Sequence, residues 1–179
     1  MPYANPIARL RAVAALLLLA LAPGCGAFPR VEPASTCRLP EPGTAGWREV
    51  RTSAFALRLP PGYRDTGPSG IDSEVAGWAA ADHQRLEYDY GLYSGPYSGS
   101  AVDTEVEQCT VQVNGASVEL ATFRRPGEGL RVHAHWSRAR PVVLGRDTLP
   151  TSLMIYGRAR DEAGRRELLA IISTVRVER

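Results

Sequence analysis

Two histidines, His133 and His135, are spaced i, i+2 within an alternating stretch. On a strand both imidazoles project to one face, where they could share a divalent metal with His83 or Asp89 as a third ligand. The same pair with an acid would serve a small hydrolase. A plainer reading stands beside these: Arg131 and Ser137 take the histidine side while Val132, Ala134 and Trp136 take the other, which makes the histidines the solvated side of the strand. Ser94 and Ser98 sit in a glycine-rich stretch, but each is fourth in its window (91–95 and 95–99), whereas a nucleophile elbow centres its serine third. The carboxylate pairs Glu105 with Glu107 and Glu87 with Asp89 have strand spacing and no desolvating neighbour, so acid and base roles do not follow. Neither a P-loop nor a dinucleotide fingerprint occurs. No catalytic residue, metal or cofactor is assigned on this reading. Recognition chemistry is better served: from Tyr88 to Ser100, four tyrosines alternate with glycine, serine, proline and aspartate, the mixture that supplies contact area and hydrogen bonds in binding loops. Tyr93 and Tyr97 are the candidate contact residues. The competing view makes Tyr88 and Tyr90 core-facing and the remainder an ordinary surface loop.

These side chains need a scaffold, and alternation dominates the chain. Phe55, Leu57 and Leu59 alternate up to Pro60, Pro61 and Gly62, a strand meeting a turn. Leu86, Tyr88 and Tyr90 oppose Glu87 and Asp89. Thr110 to Val113 and Ala116 to Phe123 flank Asn114-Gly115, the pair that supplies the positive φ angles of a two-residue hairpin turn. Leu130 to Ser137 and Ser152 to Ala159 give two further strands. Asp161 is placed to cap a helix over about Glu162 to Ser173, with Leu168, Leu169 and Ile172 on its buried side. The expected fold is α+β: a largely antiparallel sheet of about six strands with one C-terminal helix packed on a face. Trp47, Trp78 and Trp136 are expected in the core, with Trp136 placed there by its strand phase.

The first two dozen residues differ from the rest. Arg9 and Arg11 precede an apolar run of 11 residues, Ala12 to Ala22, which is far short of the roughly 20 residues that span a bilayer. This is the layout of an export signal. It ends in Leu21, Ala22, Pro23, Gly24 and Cys25, which resembles the lipobox of bacterial lipoproteins. That resemblance implies cleavage before Cys25, acylation of its thiol, and a lipid-anchored domain in the cell envelope. With Gly26 next, it would be an outer-membrane protein facing the periplasm in a Gram-negative cell. Ordinary cleavage after Ala27, which would discard Cys25, remains the alternative. If Cys25 carries lipid, Cys37 and Cys109 remain as an even pair in an oxidising compartment. They are expected to form a disulfide closing a loop of about 70 residues, for roughly 4 kcal/mol in the chain-entropy model. Two inert buried thiols or a metal-binding pair are the other readings, and cysteines 72 positions apart with no C-x-x-C spacing argue against zinc.

Charge removes one class of partner. The chain has 21 basic and 19 acidic residues, every basic one an arginine, and loss of Arg9 and Arg11 with the leader leaves 19 against 19. A neutral body gives no electrostatic basis for nucleic-acid binding. The expected organisation is a signal peptide over 1–24, a tether rich in proline and glycine over 25–46, and one globular domain over 47–179. The strand ending in Pro60-Pro61-Gly62-Tyr63, the meander and the closing helix that runs into Ile171 to Val175 loosely resemble uncharacterised secreted bacterial domains of the PsbP and Mog1-like kind. No site residue is implied by that resemblance. By elimination, the expectation is a non-enzymatic envelope lipoprotein. It would touch the lipid bilayer through acylated Cys25, and an unknown envelope protein or small ligand through the Tyr93 to Ser100 loop and the adjoining sheet edge. An envelope hydrolase using His133 and His135, or a purely structural component, are the alternatives.

Overall fold

The computed structural model describes residues 39–70, 73–80 and 83–178. The expected leader, Cys25 and Cys37 lie outside them. The described chain forms β1 (Arg48–Arg51), β2 (Phe55–Leu59), β3 (Arg64–Asp65), β4 (Glu74–Ala79), β5 (Arg85–Gly91), β6 (Thr104–Val113) and β7 (Ala116–Arg125). These are followed by β8 (Gly129–Trp136), β9 (Val142–Leu144), β10 (Asp147–Leu149), β11 (Ser152–Ala159), α1 (Glu162–Ser173) and β12 (Arg176–Val177).

Seven strands make one antiparallel sheet in the order β3-β4-β5-β11-β8-β7-β6. A second sheet, β1-β2-β12, joins the two ends of the described chain, and β9 with β10 is a separate hairpin. Leu57, Leu59 and Phe55 of the second sheet, with Leu168, Ile171 and Ile172 of α1, share one core with the inner face of the large sheet: Leu86 and Tyr88, Val118 and Leu120, Val132 and Trp136, Leu153 and Ile155. Phe55 meets Tyr88 edge to face at 5.0 Å, and Trp78 stacks on Tyr88 at 5.6 Å. Trp78 and Trp136 are both buried in the core, Trp136 as its phase requires, and Trp47 packs against that core partly buried.

Local rules account for the best-defined pieces. Asn114 and Gly115 have φ of 47° and 80°, so the β6–β7 turn needs the residues that tolerate left-handed backbone. The Asn114 amide also donates to the Val175 carbonyl at 2.7 Å, which ties the hairpin tip to the chain end beyond α1. Asp161 caps α1 by accepting from the Gly164 N–H at 3.0 Å. Gly157 lets the helix approach, since a Cβ there would lie 2.8 Å from Leu168 Cδ1.

The α+β expectation of about six strands is overturned. The protein is mostly β: half of the described residues lie in strands and 9% in α1, and the sheets have seven, three and two strands. The predicted strands and helix occur where the periodicity placed them. The missing ones were two- to four-residue pieces, too short to alternate, and β4, whose Glu-Val-Ala-Gly-Trp-Ala sequence has no clean period. Leu39, within the stretch expected to be a tether, packs against the core beside Cys109, Leu120 and Leu169.

Candidate functional site

The outer face of the large sheet, opposite α1, carries the other half of each alternation. Across it lie Glu119, Ala121, Phe123 and Arg125 of β7; Arg131, His133 and His135 of β8; Met154 and Tyr156 of β11; and Glu87 and Asp89 of β5. An outer face of an antiparallel sheet is ordinarily wet. Here it is partly roofed. After β5 the chain folds back across the sheet as a strap from Leu92 to Asp103 before entering β6.

Three contacts hold the strap. Ser94 Oγ donates to the Ser152 carbonyl and meets Ser152 Oγ, each at 2.8 Å. Tyr97 stacks on Phe123 with ring centroids 4.5 Å apart and stands edge-on to His133 at 5.6 Å. The Tyr97 hydroxyl donates to Asp103 Oδ2 at 2.8 Å, and Arg125 clamps the same carboxylate with Nε and Nη2 at 2.7 and 2.9 Å. A bidentate guanidinium–carboxylate pair is among the stronger polar contacts. Phe123 is only 2% exposed, meets His133 edge-on at 5.0 Å, and has the Arg125 guanidinium 5.2 Å from its centroid.

The histidines are therefore not on a freely solvated surface, which corrects the sequence reading: His133 is partly buried against the Tyr97 and Phe123 rings, and His135 is buried. His133 is held neutral, with its pKa pushed down to about 4, first by burial and then by the Arg131 and Arg125 guanidiniums beside it. His135 is 6% exposed; its Nδ1 lies 3.5 Å from Glu119 Oε2, and neither ring nitrogen makes a hydrogen bond among the described residues. Of the suggested third metal ligands, Asp89 shares a pocket with His133, whereas His83 lies in another pocket with Gly127 and Arg158. Among the described residues, no group of three or more His, Cys, Asp or Glu side chains has a metal-holding arrangement.

Beside the strap is an open pocket of about 340 Å³ lined by Asp89, Tyr93, Ser94, Arg125, Arg131, His133, Met154 and Tyr156. Of the two candidate recognition tyrosines, Tyr97 is spent on pinning the strap, whereas Tyr93 is 81% exposed at the pocket mouth. Two polar groups in the pocket are unmatched. Asp89 Oδ1 and Arg131 Nε are both buried and both lack a hydrogen-bond partner among the described residues. Burial, with Arg158 and Arg125 nearby, lowers the pKa of Arg131, and burial raises that of Tyr156. Sequence reasoning placed Tyr93 and His133 but missed Phe123, Arg125, Asp103 and Tyr156 as parts of one site. Strand phase puts Phe123 and Arg125 on the His133 face; Asp103 has no such signal, being in the strap.

Comparison with family models and with curated proteins finds no match to this chain. The site must be read from its own geometry.

The strap latch has a definite acid response. Arg125, and secondarily Tyr97, holds the Asp103 carboxyl below the usual aspartate range, so its contribution is present above about pH 4 and is lost as pH falls through the depressed folded value. Asp103→Asn is expected to lower the melting temperature at pH 7 and to expose the strap to protease, with the gap to wild type closing toward pH 3. Equal gaps at pH 7 and pH 3 would rule out the charge pair as the source.

Proposed function

We propose that this chain is a lipid-anchored extracytoplasmic binding protein whose ligand occupies the pocket beside the strap on the outer sheet face. The observation that carries the reading is one open pocket on that face, walled by Asp89, Arg125, Arg131, Met154 and Tyr156, with an exposed tyrosine, Tyr93, at its mouth. A concave site that joins aromatic and apolar surface to a few polar side chains is the arrangement in which small ligands bind. The adjoining face is already fastened by the strap, so a ligand meets a preorganised surface. Acylation of Cys25 supplies the anchor and Cys37 bridges to Cys109, on the strength of the lipobox-like ending and the cysteine count.

The hydrolase alternative has one observation in its favour: His133 and Ser94 line the same pocket. Two others oppose it. A histidine with a pKa of about 4 is a poor proton acceptor at neutral pH, and the Ser94 hydroxyl is committed to Ser152.

Native mass spectrometry of the full chain purified from envelope membranes tests the proposal. The expected species begins at Cys25, carries acyl mass, lacks the two hydrogens of a reduced Cys37 and Cys109, and retains a non-covalent adduct that disappears in Arg131→Met. An unmodified chain would overturn the anchor. Identical spectra for wild type and Arg131→Met would overturn the binding role.

A further inference from the structure

At one end of the large sheet the strand register brings four arginines into a single line. Arg64 of β3 stands opposite Ala79 of β4, Ala79 opposite Arg85 of β5, Arg85 opposite Arg158 of β11, and Arg158 opposite Arg131 of β8. Directly paired residues share a face, so three adjacent strands carry arginines side by side on the outer surface. Like charges in that position destabilise a sheet. The repulsion reaches Arg131, whose pKa is lowered first by burial and then by Arg158.

The two ends of the three-arginine run have carboxylates. Arg131 pairs with Glu128, and Arg85 lies 3.8 Å from Glu87. Arg158, in the middle, has no carboxylate partner among the described residues; its Nη2 donates to the Gly127 carbonyl at 3.5 Å. Arg160 has none among them either. Both arginines line a pocket of about 280 Å³, together with His83, Gly127 and Glu128. Glu128 is the one acid in that lining, and Arg131 already holds it. Asp161, next in the chain, is engaged at the cap of α1. Two guanidiniums therefore meet in one pocket without a counter-charge, whereas both guanidiniums of the strap pocket have their own.

An oxyanion supplies what is missing, since a guanidinium fork matches the oxygens of carboxylate and phosphate groups. The shape of the lining separates the two. Arg158 and Arg160 start about 7 Å apart along the chain, and the exposed His83 comes from a different turn. A carboxylate presents two oxygens in one plane, enough for one fork. A phosphate presents oxygens in several directions and meets both forks and an imidazole N–H together.

We propose that this pocket is a phosphate site, in which Arg158 and Arg160 hold the oxygens of one phosphate group and His83 donates to another of its oxygens. The site is separate from the strap pocket and stands independently of that reading. The group it takes is a phosphate, whether free in solution or carried by a lipid headgroup.

Thermal unfolding of the full-length chain tests this, in a detergent without phosphate, at pH 7 and low ionic strength. The probes are inorganic phosphate, glycerophosphoglycerol as the water-soluble headgroup of an anionic lipid, and sodium chloride at matched ionic strength. At least one of the two phosphate compounds is expected to raise the melting temperature by about 3 °C or more beyond chloride, and the rise should vanish in Arg158→Gln and in Arg160→Gln. Arg160 is exposed, so Arg160→Gln keeps the fold and keeps the test decisive even if the strand variant misfolds. A rise with inorganic phosphate alone makes the free ion the ligand; a rise with the diester makes it a headgroup. An equal rise with chloride would reduce the effect to screening and overturn the proposal. So would a rise retained in Arg160→Gln, which places the phosphate elsewhere, or no rise with either compound. Any of these failures leaves the strap pocket to its own mass-spectrometric test.

Discussion

Phe123→Ala is expected to destabilise the domain by about 3–5 kcal/mol, the range for removing a buried aromatic ring, and to release the strap in the same step. Phe123 lies between two layers. Below it the β7 backbone is paired with β8 at Arg131 and with β6 on either side of a bulge, at Thr122 and Arg124, which limits inward movement. Above it Tyr97 stacks at 4.5 Å, with His133 and the Arg125 guanidinium at its margins. Truncation leaves a void that Tyr97 can fill only by withdrawing its hydroxyl from the Asp103 carboxylate, so the loss spreads from packing to the latch. Urea unfolding gives the stability change, and limited proteolysis gives the site. Cleavage is expected within 92–103 for the variant under conditions that leave wild type intact. A loss below about 1 kcal/mol, with an uncut strap, would mean that the ring is not the strap's seat.

The second large effect is the pH dependence imposed by His133. In the unfolded chain its pKa is near 6.5, and in the fold it is about 4, because burial and two neighbouring guanidiniums oppose the charged form. A depressed folded value means the unfolded state takes up the proton first as pH falls. Stability is therefore fully present above about pH 6.5, declines through the interval down to about pH 4, and is flat with respect to this group below that. The shift corresponds to roughly 3 kcal/mol over the interval. His133→Gln cannot titrate and is expected to flatten the stability curve between pH 6.5 and 4, although it loses ring contacts at every pH. NMR of the imidazole should show a neutral ring until pH approaches 4. A His133 midpoint near 6.5, or an unflattened curve in the variant, would show that the ring is in contact with water. The Asp103 latch fails at lower pH than the His133 interval begins, so the two acid effects are separable in one titration.

How far the sequence revealed this can be followed residue by residue. The β6–β7 hairpin was legible because Asn114-Gly115 is a local requirement, and α1 because Asp161 and the leucine spacing are local too. Trp136 and Tyr88 could be assigned to the core from phase alone. The second sheet was not legible, since β12 is two residues long and pairs with β2 across more than half of the chain. The histidines show the same limit at the site. Alternation placed His133 and His135 on the outer face correctly, and the strap, which has no period, is what partly covers that face. Tyr93 and Tyr97 have similar sequence surroundings but opposite tasks, because Tyr97 finds Phe123 beneath it and Tyr93 stands clear. Non-local contact decides such cases, and residue type does not.

Leu39 enters on the helix side, beside Cys109 and Leu169, whereas Asp89 and Arg131 open on the opposite surface of the same sheet. Any leash fastened ahead of Leu39 therefore hangs the domain by its back. Under the proposed anchoring, the pocket mouth would therefore face away from the side on which Leu39 packs.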